Sequence, residues 1–255
     1  MAAFDLSGKV VIVTGAGSGI GRATAQMVAA QGATVIVADI ADGPAHETVQ
    51  LVTEAGGKAR AFVGDVGDEA TCEALVAEAL KDGRLDGLVN NAGIMDYFAP
   101  VGEADTELYR KVFRVNVDGP FFLMRAAMPH LVETKGSIVN VSSEAGIRGA
   151  AAGAIYTMSK HALVGLTRNT AYMYGRQGVR CNAMCPGGVE TNIGQSMPQD
   201  KLNLGGLGML GPVHQSALGQ SSSEQQAALI TFLLADEASN VSGAIIPNDG
   251  GWWAG

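Results

Sequence analysis

The chain has 255 residues, 47% of them apolar, and a formal net charge of −8. This length and apolar content suit one α/β domain spanning 1–255 with a large core, and the acidic balance argues against a nucleic-acid partner. The longest apolar run near the C-terminus, Ala227 to Ala235, is too short to cross a bilayer, and the N-terminus lacks the basic and apolar regions of a signal peptide, so we expect no membrane association.

Cysteine and histidine usage argues against disulfides and metals. The three cysteines show neither a disulfide framework nor zinc-knuckle spacing, which predicts free thiols in a reducing, cytoplasmic compartment. The four histidines are scattered, so no metal site is expected.

Short apolar runs and helical periodicity alternate from the start of the chain. Strands are predicted at 10–13, 34–38, 58–63, 85–89, 137–141, 179–184 and 244–246. Helices are predicted at 20–30, 45–55, 69–81, 103–112, 114–132, 155–172 and 224–235. Apolar strands separated by helices indicate a parallel sheet with helices on both faces.

One stretch does not follow the alternation. Residues 186–223 are rich in Gly, Met, Leu and Ser and have weak periodicity. Long segments of this kind in a compact domain are commonly lids or binding loops, so we expect a substrate lid there.

A glycine-rich turn follows the first predicted strand and opens the first predicted helix. Its pattern is T-G-x-x-x-G-x-G, and in this context the turn brings a dinucleotide pyrophosphate to a helix N-terminus. The alternative is an ordinary glycine turn. The residues predicted to contact the cofactor here are Gly15, Ser18, Gly19, Ile20 and Gly21.

Asp39 ends the second predicted strand, near the spacing of roughly 20 residues at which a carboxylate binds the adenosine ribose. The carboxylate would repel a 2′-phosphate, and neither position 17 nor the residues after Asp39 supply a basic partner for one. We therefore expect NAD(H) rather than NADP(H), although Asp39 could instead be a simple strand cap.

The ends of the third and fourth predicted strands add further candidates. Asp65 and Val66 could meet the adenine, and an ordinary turn aspartate is an equal alternative. Asn91, Ala92 and Gly93 follow the fourth strand, where small residues let the cofactor approach.

Tyr156 and Lys160 are the most informative pair. They share a face of a predicted helix as positions i and i+4, so an ammonium lies beside a phenol. We expect the positive charge to lower the tyrosine pKa, so that Tyr156 can exchange a proton with a substrate oxygen. The pair alone could also be a buried aromatic beside a solvated lysine.

Taken together, T-G-x-x-x-G-I-G, N-N-A-G, the serine before Y-x-x-x-K, and P-G after the sixth strand resemble the short-chain dehydrogenase/reductase family over nearly the whole chain. The resemblance implies a Rossmann-type, doubly wound, mostly parallel sheet of seven strands in a homotetramer or homodimer. It also implies a catalytic tetrad, which maps to Asn116, Ser143, Tyr156 and Lys160.

The family roles follow from the resemblance. Ser143 would bind the substrate oxygen, Lys160 the nicotinamide ribose, and Asn116 a water that links Lys160 to solvent. Ser142 is the competing serine. The segment after the sixth strand would hold the nicotinamide through Pro186, Gly187, Val189 and Thr191.

The family does not fix the substrate. The candidate pocket is largely apolar and includes Met95, Tyr97, Ile147, Gly188, Met197, Leu202, Leu207 and Met209, which favours a hydrophobic ketone or secondary alcohol. Glu144 could bind a substrate hydroxyl or amine, or simply face solvent. Trp252 and Trp253 could cap a pocket or anchor a subunit interface.

Two other functions remain under consideration. An enzyme that reduces a 3-oxoacyl carrier protein would be expected to use NADPH and to have a basic surface that receives the acidic carrier. Asp39 argues against NADPH, and the net charge of −8 argues against a basic surface. A non-catalytic NAD-binding protein would have no chemical need for the complete tetrad.

Overall fold

The computed structural model describes residues 4–190 and 197–255, and one sheet runs through both ranges. Seven strands are found there: β1 Val10–Thr14, β2 Thr34–Asp39, β3 Lys58–Val63, β4 Gly87–Asn90, β5 Ser137–Val141, β6 Arg180–Pro186 and β7 Ile245–Asn248. They lie in the order β3-β2-β1-β4-β5-β6-β7, and each neighbouring pair is parallel. The predicted Rossmann-type, seven-stranded sheet is confirmed.

Helices connect these strands. Within the described ranges they are α1 Gly19–Ala30, α2 Asp42–Glu54, α3 Glu69–Ala79, α4 Thr106–Phe113, α5 Gly119–Thr134, α6 Ala154–Tyr174, α7 Leu204–Gln215 and α8 Ser223–Leu234. None of these helices combines the length and the hydropathy that crossing a bilayer requires.

The helices cover both faces of the sheet because side chains alternate along each strand. Val11 and Val13 of β1 face one apolar layer, which α1, α2 and α8 complete. Val10 and Ile12 face the opposite layer, which α3 and α5 complete. Two separate cores therefore hold the central strands rigidly in place.

The order of the strands fixes where a ligand can enter. The chain winds from β1 toward β2 and β3, then returns to place β4 on the other side of β1. The loops that leave β1 and β4 thus diverge, and a crevice opens beyond the carboxyl ends of these strands.

The region between α4 and α5 differs from its prediction. Asp105 caps α4 by accepting a hydrogen bond from the Leu108 amide at 2.7 Å, so the helix begins at Thr106 rather than near Glu103. Residues Arg114–Asp118 form one turn of π-helix before α5, and Asn116 lies in this turn. Such turns often occur at functional sites.

A helix within the expected lid is a second difference. Residues Leu204–Gln215 form α7 despite several glycines and Pro212, which gave the segment its weak periodicity. The Asn203 side chain caps the helix by accepting from the Gly206 amide at 2.7 Å, and the Asn203 amide donates to the Tyr97 carbonyl at 2.9 Å. Tertiary contacts therefore supply what helix propensity lacks.

Gly206 is where α7 meets the loop after β4. A Cβ at this position would overlap the Phe98 carbonyl oxygen, whereas a Cβ at Gly208 would meet nothing within 4 Å. We expect Gly206→Ala to loosen α7 and speed hydrogen exchange of its amides, at a cost of about 1–3 kcal/mol. Gly208→Ala, the matched control, should slow exchange because alanine favours a helix over glycine by about 0.8–1 kcal/mol.

Hydrogen–deuterium exchange with mass spectrometry of peptides covering 204–215 makes the comparison. Equal protection of α7 in the two variants would show that the close approach at Phe98 does not seat this helix.

Candidate active site

A cavity of about 1170 Å³ opens at the carboxyl ends of β1 and β4. Its volume exceeds the roughly 300–1,000 Å³ of typical small-ligand pockets, so it can hold a dinucleotide together with a small substrate. The cavity brings together most of the predicted cofactor residues: Gly15, Ser18, Gly19, Ile20, Asp39, Asp65, Val66, Asn91, Ala92, Gly93, Tyr156, Lys160, Pro186, Gly187 and Val189.

The glycine-rich turn forms a cradle at the N-terminus of α1. Gly15 and Gly19 have positive φ angles of 60° and 52°, which favour glycine. A Cβ on Gly15 would come within 2.9 Å of the Ala92 Cα, which crosses from the neighbouring strand end. The turn therefore suits a diphosphate that approaches backbone amides closely.

Gly21 has a different role from the one predicted. It does not line the cavity, and a Cβ there would overlap the Gly15 carbonyl oxygen. This glycine lets α1 pack against the turn, and it affects the cofactor site only through that packing.

Asp39 is held at the adenosine end of the cavity. One carboxylate oxygen accepts from the Gly17 amide at 2.8 Å and the other from the Ala41 amide at 2.9 Å. A Cβ on Gly17 would lie 2.8 Å from the first oxygen, so a basic side chain at position 17 would displace the carboxylate.

Arg22 is the basic side chain nearest this corner, and other groups engage it. Its guanidinium donates to the Gly17 carbonyl at 3.0 Å and pairs with Glu47 at 2.7 Å. A nucleotide phosphate would have to compete with both partners for this charge.

Asp65 takes part in the turn after β3 and also faces the cavity. It lines the cavity, and it also accepts from the Gly67 amide at 2.9 Å and pairs with Arg114 at 2.7 Å. Partial burial raises the pKa of Asp65, but the hydrogen bonds from Arg114 and Gly67 outweigh it and leave the pKa below its usual value.

Asn91 and Thr14 join the ends of β1 and β4. The Asn91 side chain donates to the Thr14 carbonyl at 2.8 Å, and the Thr14 hydroxyl accepts from the Asn91 and Ala92 amides, each at 3.0 Å. Asn90 instead points into the sheet, where its amide donates to Asn140 at 2.8 Å. These bonds fix the width of the crevice.

Tyr156 and Lys160 are both buried on α6 and line the same cavity. The Lys160 Nζ lies 5.4 Å from the centre of the Tyr156 ring and donates to the Val141 carbonyl at 2.9 Å. The helical spacing therefore brings the ammonium beside the phenol, as the sequence predicts.

The expected lowering of the Tyr156 pKa is not found in the protein alone. Burial raises the pKa of Tyr156 above its ordinary value, hydrogen bonding with Ser143 acts in the opposite direction, and the Asp96 carboxylate raises it further. Burial also lowers the pKa of Lys160 to about 8, because an interior site disfavours the ammonium.

The structure separates the two adjacent serines. Ser142 is buried and donates to the Lys160 carbonyl at 3.1 Å, so its hydroxyl anchors α6. Ser143 lines the cavity, and its hydroxyl accepts a hydrogen bond from the Ala145 amide at 3.1 Å. The same side chain acts to lower the pKa of the Tyr156 phenol. This geometry favours Ser143 as the residue that meets a substrate.

Asn116 lies behind the cavity wall. Its side chain accepts from the Ile94 amide and donates to the Ile94 carbonyl, both at 2.9 Å, and it also donates to the Ser159 hydroxyl at 3.1 Å. A Cβ on Gly93 would lie 3.4 Å from both the Asn116 oxygen and the Lys160 Nζ. Asn116 is thus close to the pair but does not line the cavity.

The segment after β6 forms another part of the cavity wall. Pro186, Gly187, Gly188 and Val189 line it, while Thr191 lies outside the described residues. Gly187 approaches Asp249 so closely that a Cβ there would come within 2.9 Å of the Asp249 Cβ.

Asp96 is a site residue that the sequence analysis missed. Its buried carboxylate accepts from the Tyr156 amide at 2.9 Å and from the Phe98 amide at 3.0 Å, so it caps the N-terminus of α6 from a distant loop. Sequence patterns reveal helix caps only when they adjoin the helix, so no local signal identifies Asp96.

The substrate end of the cavity is smaller than predicted. Met95, Glu144 and Gly188 line it together with Trp252, one of the two tryptophans considered as a cap, and with Phe98 and His214, which the sequence analysis did not name. The remaining predicted pocket residues do not line this cavity: Tyr97, Ile147, Met197, Leu202, Leu207 and Met209. Tyr97 and Leu202 border a separate, smaller pocket, and Met209 points to solvent because α7 turns it outward.

The two C-terminal tryptophans differ. Trp252 is buried, lines the cavity and donates from its indole nitrogen to the Val213 carbonyl at 3.0 Å, so it joins the C-terminal segment to α7. Trp253 is 45% exposed and does not line the cavity.

Glu144 does not face solvent. It is buried in the cavity wall directly after Ser143, although an isolated glutamate is rarely buried. Burial and the neighbouring Asp249 carboxylate raise the pKa of Glu144 to about 7, while Arg148 lowers it.

Asn248 at the end of β7 and Gln226 of α8 form a reciprocal hydrogen-bonded pair. The Asn248 side chain donates to the Gln226 side chain at 2.9 Å, and Gln226 donates back to the Asn248 carbonyl at 3.0 Å. This reciprocal pair ties β7 to α8, and it places no polar group in the cavity.

Known proteins are similar to this chain in both sequence and fold. The family model described as enoyl-(acyl carrier protein) reductase matches residues 15–253. The 2,5-dichloro-2,5-cyclohexadiene-1,4-diol dehydrogenase of Sphingobium indicum is 43% identical over 98% of this chain and 99% of its own length.

Solved structures of similar sequence have the same fold as this chain. Levodione reductase is 35% identical with a TM-score of 0.88, over 97% of this chain and 98% of its own. A short chain dehydrogenase from Mycobacterium paratuberculosis, bound to NAD, is 31% identical with a TM-score of 0.90, over 98% of this chain and 100% of its own. Structures in this group hold NAD in one case and NADP in another, so the choice of cofactor depends on each chain's own residues.

We expect Lys160 to lose its proton near pH 8, well below the ordinary lysine value of about 10.4, because burial favours the neutral amine. Below pH 8 the residue is an ammonium, and above it an amine. Lysine 13Cε NMR between pH 6.5 and 10.5, with Lys160→Met to assign the signal, measures this titration. A signal that titrates together with surface lysines would contradict the effect of burial.

Proposed function

The chain belongs to the short-chain dehydrogenase/reductase family, an oxidoreductase family that binds nicotinamide cofactors, and we propose that it interconverts a secondary alcohol and a ketone with NAD(H). The observation that carries this proposal is the convergence of Ser143, Tyr156 and Lys160 on the cavity that also contains the glycine cradle. A bound nicotinamide would supply or accept the hydride.

The proposed roles follow from position. Ser143 donates a hydrogen bond to the substrate oxygen, and Tyr156 gives that oxygen a proton during ketone reduction or removes one during alcohol oxidation. Lys160 supplies positive charge beside the phenol and binds the cofactor ribose. Asn116 acts through Ile94 and Ser159, which hold the cavity wall and α6 in register.

The remaining predicted contacts hold the cofactor. The diphosphate binds at the glycine-rich turn, which contributes Gly15, Ser18, Gly19 and Ile20. Asp39 binds the ribose diol, and Val66 contacts the adenine. Pro186, Gly187, Val189 and Thr191 hold the nicotinamide. We propose a single domain in which residues 186–223, including α7, form the lid over the substrate.

The choice of NAD(H) rests on charge at the adenosine corner. Asp39 is fixed by two backbone amides, and Arg22 is paired with Glu47. A 2′-phosphate would meet a fixed negative charge, and the guanidinium that contacts Gly17 is already paired with Glu47. These contacts support NAD(H) over NADP(H).

The substrate end supports a small, largely apolar molecule. Met95, Phe98, Ala152 and Trp252 supply apolar surface, and none of the described cavity residues there forms a phosphate-binding cluster. The diol dehydrogenase and levodione reductase names of two relatives are consistent with alcohol–ketone chemistry. Reduction of a carrier-protein substrate is a weaker candidate, since it would favour NADPH.

We further propose a homo-oligomer, a homotetramer or homodimer, in a reducing, cytoplasmic compartment. Exposed apolar side chains on α5 and α6 favour a second copy as partner: Phe121, Met158, Tyr172 and Met173. The three cysteines are unpaired and buried, as suits a reducing compartment.

The activity is tested by following NADH oxidation with a panel of hydrophobic ketones, and NAD reduction with secondary alcohols. We expect turnover in the wild type and a kcat lower by about 100-fold or more in Tyr156→Phe, since the proton donor is lost. Tyr109→Phe, which changes an exposed tyrosine outside the cavity, should retain wild-type kcat. Unchanged kcat in Tyr156→Phe would refute the mechanism, and turnover confined to NADPH with acyl thioesters would favour the carrier-protein reductase.

Cofactor preference is tested by Asp39→Asn, which removes the negative charge and keeps an acceptor. We expect the wild type to favour NADH in kcat/KM, and the variant to lose about 10- to 100-fold with NADH while its relative activity with NADPH rises. Asp42→Asn, an exposed change in the first turn of α2, should leave the ratio unchanged. A wild-type preference for NADPH would overturn the assignment.

A further inference from the structure

Glu144 is a buried titratable residue of the cavity wall that the proposed mechanism does not use. It is 1% exposed, and both side-chain oxygens lack a hydrogen-bond donor among the described residues. Buried polar groups in folded proteins are nearly always hydrogen-bonded, so an unpartnered carboxyl group calls for an explanation.

The neighbours of Glu144 do not satisfy it. The Arg148 Nε lies 3.5 Å from one oxygen, too far for a good hydrogen bond. Arg148 cannot easily come closer, because it donates to the Trp252 carbonyl at 2.8 Å and lies over the rings of Trp252 and Trp253.

Asp249 is the other neighbour, and it can satisfy at most one oxygen. Its own carboxylate accepts from the Gly251 amide at 2.9 Å and the Trp253 amide at 2.6 Å, so it has no proton to offer. A protonated Glu144 could donate to Asp249, but its carbonyl oxygen would still lack a donor. In either protonation state, at least one oxygen of Glu144 is therefore left without a donor, and this residue is part of the cavity wall.

We propose that Glu144 is a specificity-determining residue that accepts a hydrogen bond from a second hydroxyl group of the substrate, so that diols and hydroxyketones are preferred over simple alcohols and ketones. The proposal rests on the alcohol–ketone chemistry proposed above. Glu144 directly follows Ser143, and consecutive Cα atoms are 3.8 Å apart. Both residues line the same cavity, so one small molecule can contact both.

A neutral hydroxyl fits this position better than an ammonium. Arg148 already supplies positive charge 3.5 Å from the carboxylate, and a second cation would be repelled by it. Trp252, His214 and Ala151 form the adjoining wall and leave the rest of the substrate in largely apolar surroundings.

The test compares cyclohexanol with the cyclohexane-1,2-, 1,3- and 1,4-diols as substrates for NAD reduction. We expect the wild type to favour at least one diol by about 10- to 100-fold in kcat/KM, mainly through KM. Glu144→Leu should abolish this preference by raising the KM of the preferred diol far more than the KM of cyclohexanol, and Glu144→Gln, which keeps one acceptor, should be intermediate. Glu107→Leu removes an exposed glutamate outside the cavity and should behave as wild type.

The outcomes are distinct. Equal losses on cyclohexanol and on the diols in Glu144→Leu or Glu144→Gln would assign Glu144 a structural role at the Asp249 contact and overturn the proposal, as would a wild type without diol preference. If Glu144→Leu does not fold, the isosteric Glu144→Gln decides. If the wild type oxidises no alcohol, the proposed function fails, and calorimetry of the same diols and cyclohexanol with the NADH complex of wild type and Glu144→Gln still decides whether Glu144 binds a second hydroxyl.

Discussion

The parallel pairing of β1 with both β2 and β4 is the constraint on which the site depends. Because the chain winds away from β1 in both directions, the loops after these strands separate and leave a crevice at their carboxyl ends. Thr14 keeps this crevice at a fixed width, since its hydroxyl binds the backbone after β4. The glycines of the turn after β1 then bring the chain close enough to a ligand for backbone amides to bind it.

Buried polar bonds hold the catalytic helix against this frame. Asn140 of β5 donates to Thr167 of α6 at 2.8 Å, and Ser142 donates to the Lys160 carbonyl. Asp96 adds a third tie at the Tyr156 amide. Apolar packing alone would allow α6 to slide, whereas hydrogen bonds from three separate segments specify one register for Tyr156 and Lys160.

Sequence patterns sufficed wherever the chemistry was local. Short apolar runs gave the strands and helical spacing gave most helices. The motifs around Gly15, Asn91 and Tyr156 named residues that line the cavity. Patterns failed where distant contacts decide the structure. Gly206 and Pro212 disfavour a helix locally, yet α7 forms because Asn203 and the loop after β4 stabilise it. Burial of Glu144 depends likewise on the C-terminal segment, which meets it only in the folded chain.

The same burial that positions Tyr156 and Lys160 also controls their charge. An interior site favours the neutral phenol and the neutral amine, as the opposite directions of their pKa shifts indicate. A phenolate and an ammonium at the observed 5.4 Å separation of Lys160 Nζ from the ring centre would attract each other by about 3 kcal/mol at an effective dielectric constant of about 20. That attraction corresponds to about two pKa units, so it offsets part of the cost of charging Tyr156 in the interior. Tyr156 therefore depends on Lys160 to carry its charge, and this is a physical reason for placing both on one face of one helix.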